Sequence, residues 1–541
     1  MDSHFHGRKD ILALIRRRVT DLKDGYRQNM ALLGSQHIGK SAVLRKAVLD
    51  LEDESIVPVY LDLEGRDIDY FSSKFIRSIL YHYVRGKGLA PVEPLSELLA
   101  VADEFVPQTC ARARDMLSLM EKNRISDAYE VLLSVPEIFS HETGLNCLII
   151  IDEFQVLDDF GIPDVFRRLA DRIITQKKSL YLIASSYEEP ARRILAEKLT
   201  LLFGSFEVVV VEPFDLCQSR EFVSALMGET GISLSLRNFL ADFTGGRPLY
   251  LDILAQELVS LSSIYKQQEV YAPLVAQAVE NMIFSRWGAL SRHFELMIGR
   301  ITVGKANRLV SDLLLSVAEG CYRLKDIAAC FSAVKPALLT QKLNYLVEED
   351  ILEKNGGHFH IKDKLFRYWI KYVFFKRLRS IELEPGQLKK DFREEMTRAI
   401  NDFHVTSRKD LSSRVADLLR CFDNDQLSLK GRKYKVPVFR DVKPLRLQQC
   451  GGSFCDVLRA ETDDGPWLLV LRKEPLLEMD INVVTQEARN MGFKPQRCVI
   501  VSLSELDDGV KLRALEERMW IWNEPELNSL MNLFDKPYIV P

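Results

Sequence analysis

Apolar residues in the first 215 positions occur in two patterns, short uninterrupted runs and runs spaced by three or four residues. The uninterrupted runs predict five strands, at 28–34, 56–63, 147–151, 180–184 and 206–211. The helical spacing appears at 40–51, between the first two strands, and through most of 70–142. Strand, helix and strand in succession are typical of a parallel sheet with a right-handed crossover. We therefore predict an α/β fold, a doubly wound parallel sheet with a helical insertion.

The pattern becomes mostly helical after position 213 and predicts a helical lid over 216–305, within which Gly245-Gly246-Arg247-Pro248 starts a new helix. Helices followed by two short strand-like stretches around Asn355-Gly356-Gly357 predict a winged helix over 306–381. A linker at 382–386 containing Pro385 then marks a boundary. A helical segment at 393–422 and strand-like stretches near 436–441, 454–460, 467–473 and 497–502 predict an α+β domain over 387–541. Residues 1–215 form the predicted core.

Length and composition fit this division. A chain of 541 residues is expected to form three or four folding units. The formal charge of −4 argues against a protein that coats nucleic acid. Nine scattered cysteines and an N-terminus without the apolar stretch of a signal peptide lead us to expect reduced thiols and a cytoplasmic location. No apolar run approaches the roughly 20 residues that cross a bilayer, so we expect no membrane contact.

One loop between a predicted strand and a predicted helix carries a phosphate-binding pattern. The sequence Gly34-Ser-Gln-His-Ile-Gly-Lys-Ser41 matches G-x-x-x-x-G-K-[ST] at every fixed position. Glycines let such a loop direct its amides at phosphates, and the helix N-terminus adds partial positive charge. We predict that Lys40 neutralises the β and γ phosphates of ATP and that Ser41 ligates Mg²⁺. The predicted nucleotide-binding residues of the loop are Gly34, Ser35, Gln36, His37, Ile38, Gly39, Lys40, Ser41 and Ala42.

Two acids follow the apolar run at 147–151. We predict that Asp152 holds Mg²⁺ and that Glu153 orients or deprotonates the attacking water. The next strand ends in Ser185 and Ser186, at the position where a polar side chain reads the γ phosphate, and either hydroxyl is a candidate for that catalytic role. A strand followed by serine is also ordinary turn chemistry, so both interpretations stay open for this pair.

Four segments together resemble one known family. They are Phe5-His6-Gly7-Arg8, the stretch from Asn29 to Ser41, Ile151-Asp-Glu-Phe-Gln155, and Thr244-Gly-Gly-Arg-Pro-Leu-Tyr-Leu251. This set resembles the archaeal-type ATPases, a branch of the STAND group within the AAA+ proteins that is related to replication initiators. The resemblance spans roughly residues 4–375 and implies ATP and Mg²⁺ as ligands. It also implies that Arg8 lies near the adenine and that the turn containing Pro248 brings the lid to the nucleotide.

The chain departs from that family at Ser205, because relatives usually carry Gly-Arg after a Leu-Phe or Leu-Tyr pair, whereas this sequence reads Leu202-Phe203-Gly204-Ser205. If that arginine acts as a finger in relatives, Arg192, Arg193 or a partner molecule would have to replace it, or hydrolysis would be slow and the protein a nucleotide-gated switch.

Relatives of this kind often end in a nuclease-like domain of the PD-(D/E)XK type, and residues 387–541 have a similar plan. Asp456 and Lys473 match its first acid and its lysine, whereas Leu471 stands where a glutamate ligand is needed. Glu474 is the nearest substitute, and strand alternation directs it to the face opposite Lys473. We therefore expect no nuclease activity. Cys450 and Cys455 lack further ligands at metal spacing, so we expect no zinc.

Basic residues at 374–379 and 430–435, with Arg323 and Lys325, are candidates for contact with double-stranded DNA, although such clusters are more often solvated surface. The leading hypothesis is a regulatory ATPase that couples nucleotide state to the winged helix and the C-terminal domain, with DNA or a protein as partner and with nucleotide-dependent self-association. The alternatives are an ATP-driven DNA-processing nuclease of a mobile element or defence system, and a scaffold that binds nucleotide without hydrolysing it.

Overall fold

The structure is a computed structural model of the chain. It describes residues 5–539 apart from 91, 93, 200–205, 286–287, 302–306, 376–384, 430, 451–452, 474, 477, 479–480, 483–493 and 505. The chain forms two compact units. The first comprises Met1–Phe214, Arg247–Tyr250 and Glu348–Asp350, and the second comprises Asp215–Gly246, Leu251–Val347 and Ile351–Pro541.

A five-stranded parallel sheet forms the centre of the first unit, with strand order β2-β3-β4-β1-β5. Its strands are β1 (Asn29–Leu33), β2 (Ile56–Asp62), β3 (Asn146–Asp152), β4 (Ser179–Ser185) and β5 (Phe206–Val210). All five strands of the prediction are confirmed, with ends shifted by a residue or two. Strand β4 lies between β1 and β3, so the loop after β1 and the acids at the end of β3 meet at one edge of the sheet.

Helices cover both faces of this sheet, which explains why its strands are continuous apolar runs. Helices α1 (Lys9–Lys23) and α2 (Lys40–Leu49) enclose one apolar cluster with β1, β3 and β4. The other face carries the predicted helical insertion, whose residues join a larger cluster around Phe71, Phe75 and Phe139. The insertion consists of α3 (Ile68–Gly86), α4 (Leu95–Asp103), α5 (Pro107–Glu121) and α6 (Ile125–Thr143). A 3-10 turn at Phe154–Phe160, α7 (Val165–Thr175) and α8 (Glu188–Arg193) complete the unit.

The second unit begins with the region predicted as a lid. Its helices are α9 (Leu216–Met227), α10 (Leu234–Thr244), α11 (Pro248–Ile264), α12 (Ala272–Phe284) and α13 (Ala289–Ile301). Two short strands, β6 (Gly231–Ile232) and β7 (Glu269–Val270), pair in parallel. The first residues of α11, up to Tyr250, belong to the first unit.

The region predicted as a winged helix contains three helices, an antiparallel hairpin and a further helix. These are α14 (Asn307–Ala318), α15 (Leu324–Cys330), α16 (Pro336–Glu348), β8 (Leu352–Asn355), β9 (His358–Ile361) and α17 (Lys364–Trp369), the last continued by a π-helical stretch at Ile370–Phe374. We call β8 and β9 with their turn the wing.

The helical segment predicted at 393–422 is two helices, α18 (Pro385–Ser407) and α19 (Leu411–Leu419). Pro385 starts α18, a position that suits proline because its missing N–H would have no helical partner there. The ring of Phe392 lies 5.4 Å from Phe284, and Ser235 shares a 2.7 Å hydrogen bond with His404. Helix α18 therefore packs on α10 and α12, two helices of the region predicted as a lid.

The remaining C-terminal residues form an α+β structure. A hairpin of β10 (Asp425–Leu429) and β11 (Arg432–Val436) precedes a five-stranded mixed sheet. The sheet strands are β12 (Asp441–Cys450), β13 (Ser453–Glu461), β14 (Trp467–Arg472), β15 (Arg497–Ser502) and β16 (Trp520–Asn523). Helix α20 (Asp508–Glu516) lies between β15 and β16 in sequence, and helix α21 (Glu524–Leu533) follows β16. The strand predicted at 436–441 is wrong, since 437–440 connects β11 to β12 and begins with Pro437, which cannot donate to a sheet ladder.

Candidate nucleotide site

The loop between β1 and α2 has a backbone conformation that requires glycine at two positions, Gly34 and Gly39. A Cβ on Gly34 would lie 2.6 Å from the carbonyl oxygen of Val211 and 2.4 Å from the side chain of Ile38, so no larger residue fits there. Gly39 has a φ of 93°, in the left-handed region that favours glycine. His37 shares that region at a φ of 66°, and its ring lies 5.5 Å from that of Tyr250. The loop is therefore a tightly wound turn opening at the N-terminus of α2.

Lys40 is the first residue of α2 and is almost fully buried. Its Nζ donates hydrogen bonds to the carbonyl oxygens of Gly34 and Ser35, each at 2.9 Å. Burial lowers the pKa of Lys40 to about 8, and the nearby Glu153 and Asp152 oppose that shift. Burial has removed water from the ammonium group, and a bound anion would stabilise its charged form in place of that water.

Asp152 is the last residue of β3, and its carboxylate is buried. The Tyr60 hydroxyl donates to Oδ2 at 3.0 Å, whereas Oδ1 is among the buried atoms without a hydrogen-bond partner in the described part of the chain. Burial raises the pKa of Asp152, and the nearby Ser41 hydroxyl lowers it. Ser41 and Asp152 thus bring two oxygen ligands together, one with a buried unsatisfied oxygen, which is the donor chemistry that Mg²⁺ prefers.

Glu153 directly follows β3 with a φ of 56°, a left-handed conformation that is rare for glutamate. Gln155 Nε2 donates to its Oε2 at 2.7 Å, and the backbone N–H of Ser186 donates to the same oxygen at 3.1 Å. The Ser186 hydroxyl donates to Oε1. Three donors therefore hold this carboxylate in place beside Asp152.

The two candidate serines at the end of β4 have different surroundings. The hydroxyl of Ser185 accepts a hydrogen bond from the backbone N–H of Tyr187 at 3.1 Å and lies 3.2 Å from the carbonyl oxygen of Tyr187, which is local turn chemistry. Ser186 instead contacts Glu153. The Tyr187 hydroxyl accepts a hydrogen bond from Gln36 Nε2 at 3.1 Å, so this turn also contacts the phosphate-binding loop.

The two residues that the family resemblance adds lie at the same loop. Arg8 donates from Nη2 to the carbonyl oxygen of Ile38 at 3.1 Å, and its guanidinium lies 4.8 Å from the ring centroid of Phe214. Pro248 is the first residue of α11, within the segment Arg247–Tyr250 that packs with the first unit.

Sequence reasoning missed two residues of the site, Arg247 and Tyr60. Arg247 is buried, donates from Nη1 to the carbonyl oxygen of Gln36 at 2.5 Å, and its charge lowers the pKa of Lys40. The signal for Arg247 lies in the turn Gly245-Gly246-Arg247-Pro248, because the family resemblance brings that turn to the nucleotide and its one charged side chain is an arginine. Tyr60 gives no such signal, since a tyrosine within an apolar strand is ordinary core composition.

Comparison with known proteins gives a likeness of fold. No family model matches the sequence, and no curated protein matches it either. Three of the solved structures that are similar to this chain serve as examples. A Walker-type ATPase of Pyrococcus abyssi has 14% identity and a TM-score of 0.45, covering 68% of this chain and 96% of its own. The ORC2 protein of Aeropyrum pernix, solved as ADPNP-ADP complexes, has 13% identity and a TM-score of 0.41, covering 73% and 95%.

The ORC1 protein of Aeropyrum pernix, solved in complex with DNA, has 13% identity and a TM-score of 0.39, covering 70% of this chain and 95% of its own. Identities of 13–14% with TM-scores of 0.39–0.45 do not transfer a function from these proteins to this chain. Among the described residues, no helix is both long and apolar enough to span a membrane.

The structure describes only part of the predicted C-terminal and basic sites. Asp456 is paired in register with Leu471, so the described strands place leucine opposite the acid. No group of three or more histidine, cysteine, aspartate or glutamate side chains with metal-binding geometry occurs in the described residues. Ser205, Glu474, Lys430 and the cluster 376–379 lie outside those residues. Arg192 pairs with Glu188 at 2.7 Å on exposed α8, next to Arg193.

Proposed function

We propose that this chain is a Mg²⁺-dependent, regulatory ATPase of the P-loop class. The proposal rests on one observation: Lys40, Ser41, Asp152 and Glu153 lie together at one edge of the parallel sheet. Each residue is of the type that phosphoryl transfer uses in its role. The loop that contains Lys40 is wound so tightly that Gly34 has no room for a side chain. The chain would act in the cytoplasm, as its sequence leads us to expect.

The residues of the site divide the chemistry between them. Lys40 binds the β and γ phosphates in exchange for the carbonyl oxygens of Gly34 and Ser35. Ser41 and Asp152 would hold Mg²⁺, which when bound neutralises phosphate charge. Glu153 accepts a proton from the attacking water, and Ser186 and Gln155 keep its carboxylate in position. Ser186 is the better candidate for reading the γ phosphate through Glu153, while Ser185 shapes the turn.

A regulatory role is supported by the course of the chain around Arg247. The chain leaves the second unit after Gly246, contributes Arg247–Tyr250 to the first unit, and returns to the second at Leu251. Arg247 bonds to the carbonyl oxygen of Gln36, so a change in the phosphate-binding loop acts directly on this turn. We propose that nucleotide shifts the population of lid arrangements by its differential affinity for them.

The helix before that turn connects the lid to the rest of the second unit. Asp242 on α10 accepts a hydrogen bond from Lys364 at 3.2 Å and one from the backbone N–H of Tyr538 at 3.3 Å. Lys364 starts α17, and Tyr538 is near the C-terminus. Asp242 therefore ties the lid to both regions that the sequence identifies as candidates for partner binding.

Double-stranded DNA, a protein partner and nucleotide-dependent self-association remain part of the proposal. The candidate DNA-contacting residues of the winged helix are already ion-paired. Arg323 bonds to Asp425 at 3.2 Å, and Lys325 pairs with Asp423. We therefore propose that any contact of these two residues with DNA requires the β10 region to separate from them. No nuclease function is proposed, because Leu471 stands opposite Asp456.

The test is ATP binding with Mg²⁺ by calorimetry, followed by single-turnover hydrolysis with and without double-stranded DNA at several protein concentrations. We expect the wild type to bind ATP and Lys40→Ala to lose most of that affinity while keeping its melting temperature. Equal binding by the two proteins would overturn the proposal. Turnover that rises with protein concentration or with DNA would identify the regulatory partner.

A further inference from the structure

Cys321 and Cys330 place two accessible thiols side by side. Their Sγ atoms lie 4.0 Å apart, Cys330 is exposed and Cys321 is partly exposed. Cys321 precedes α15, and Cys330 is its last residue, so the pair brackets this short helix. Among the other described thiols, Cys110 and Cys147 are buried, and Cys421 and Cys498 are partly exposed. Cys217 is exposed, with Glu221 as its hydrogen-bond acceptor at 3.6 Å.

We propose that Cys321 and Cys330 form a reversible disulfide, a redox modification site whose oxidant is a low-molecular-weight disulfide of the glutathione class. One thiolate attacks the oxidant's disulfide, forms a mixed disulfide and releases one reduced thiol. The second thiolate attacks the protein sulfur of that mixed disulfide and releases another. The two cysteines lose two protons and two electrons in total, and the oxidant takes up both to become two thiols.

The location gives this bond a structural consequence. The residues after Cys321 join the wing, because the backbone N–H of Phe359 donates to the carbonyl oxygen of Tyr322 at 2.8 Å and that of Leu324 donates to Gly357 at 2.9 Å. Arg323, in the same segment, donates to the carbonyl oxygen of Cys421 at 2.6 Å. A disulfide between Cys321 and Cys330 would therefore link the end of α15 to residues 322–324, which hydrogen-bond to the wing.

The approach needed is small. The sulfur atoms must move about 2 Å closer to reach the length of a disulfide bond. The loop that the bond would close runs from 321 to 330, and closing a loop limits the unfolded chain. The oxidised protein should accordingly melt at a higher temperature than the reduced one.

The test is titration of the reduced full-length protein with glutathione buffers of increasing oxidised fraction. The reaction is stopped by acid, free thiols are labelled with maleimide, and peptide mapping locates each label. We expect an internal cross-link between the peptides of Cys321 and Cys330 at an oxidised fraction about tenfold lower than the one that modifies Cys217. Dithiothreitol should restore both thiols.

Two variants sharpen the result. Cys330→Ser removes the second thiol, so Cys321 should accumulate as a glutathione adduct, and Cys217→Ser should leave the cross-link unchanged. A glutathione adduct on each of the two wild-type cysteines without a cross-link would overturn the proposal. So would two free thiols when Cys217 has already reacted, or a disulfide formed only between molecules.

Discussion

Two hydrogen bonds join Ser186 to Glu153 across 33 positions of sequence, one from its backbone N–H at 3.1 Å and one from its hydroxyl. They bring the end of β4 and the residue after β3 together at the edge of the sheet that holds the phosphate-binding loop. Glu153 adopts a left-handed backbone there, and such strain is retained where surrounding contacts support it. The position of Glu153, the proposed general base, therefore depends on Ser186 at the end of β4.

Glu153→Gln should separate binding from turnover. Glutamine keeps the shape of the side chain and one oxygen for Ser186 but cannot accept a proton at neutral pH. Single-turnover hydrolysis should fall by about 100-fold or more, because a general base contributes about 10²–10⁴ to a rate. ATP affinity measured by calorimetry should change little. Unchanged turnover would remove Glu153 from this role.

Ser186→Ala and Ser185→Ala form a matched pair. The first loses the hydroxyl bond to Glu153, and we expect turnover to fall by about tenfold, in line with the loss of a charge-assisted hydrogen bond. Ser185→Ala loses only the contacts with Tyr187, so it should lower the melting temperature and leave the turnover rate nearly unchanged. The opposite ranking in single-turnover experiments would return the sensing role to Ser185.

Arg247→Ala should weaken the response of the protein to nucleotide. The substitution removes a buried charge that bonds to the carbonyl oxygen of Gln36 and faces Lys40. We expect ATP affinity to fall by about tenfold or more, since losing a charged hydrogen bond costs about 1.5–3 kcal/mol. Exposed Arg292 on α13 provides the control, Arg292→Ala, which should bind ATP like the wild type. Equal affinities for all three proteins would show that Arg247 has only a packing role.

The affinity for ATP should decrease as pH rises above about 8. Burial lowers the pKa of Lys40 to about 8, so the side chain is charged below that pH and increasingly neutral above it. Phosphates favour the charged form, so binding above pH 8 requires uptake of a proton. The dissociation constant should be about tenfold higher at pH 9 than at pH 7, as one pKa unit implies.

Calorimetry in buffers of different ionisation enthalpy measures that proton uptake. Lys40→Met keeps much of the side-chain volume without the titrating group, and its weak residual binding should vary little across the same range. The free energy of unfolding should instead increase as pH rises from 8 towards 10.5. In that range Lys40 is largely neutral in the folded protein but still protonated in the unfolded chain, so each rise in pH disfavours the unfolded state.

Gly356→Ala should destabilise the contact between the wing and β10. Gly356 has a φ of 60°, and a Cβ there would lie 1.6 Å from the carbonyl oxygen of Gln426. The neighbouring side chain of Asn355 exchanges hydrogen bonds with the backbone of Ser428 at 2.6 and 3.1 Å. We expect a loss of about 2 kcal/mol or more of unfolding free energy, or displacement of the wing, as for other clashes with backbone.

The matched control is Gly357→Ala, because a Cβ at Gly357 has no atom within 4 Å. It should change the free energy of unfolding by well under 1 kcal/mol, measured by urea denaturation. If displacement of the wing exposes Arg323 and Lys325, Gly356→Ala should also bind double-stranded DNA more tightly in a fluorescence anisotropy assay. Equal stability of the two variants would contradict the close contact.

The sequence by itself determined the parallel sheet, and it predicted a phosphate-binding role for the loop Gly34–Ser41 and for the two acids after β3. Continuous apolar runs specify buried parallel strands, and the spacing of Gly34, Gly39, Lys40 and Ser41 is set by local backbone chemistry. The strand predicted at 436–441 was wrong, because a short stretch carries no local signal of whether a partner strand lies beside it. The contacts of α18 with α10 and α12 could not be predicted for a similar reason, since an amphipathic helix does not specify which neighbour it packs against.

Only the tertiary structure decided which distant residues complete the site. Tyr60 bonds to Asp152, Ser186 rather than Ser185 holds Glu153, and Arg247 reaches the carbonyl oxygen of Gln36. The same is true of Cys321 and Cys330, and of Arg323 and Lys325, whose charges are paired with acids about 100 positions away. Periodicity records which face of an element is buried, whereas these contacts depend on how elements far apart in sequence are arranged in space.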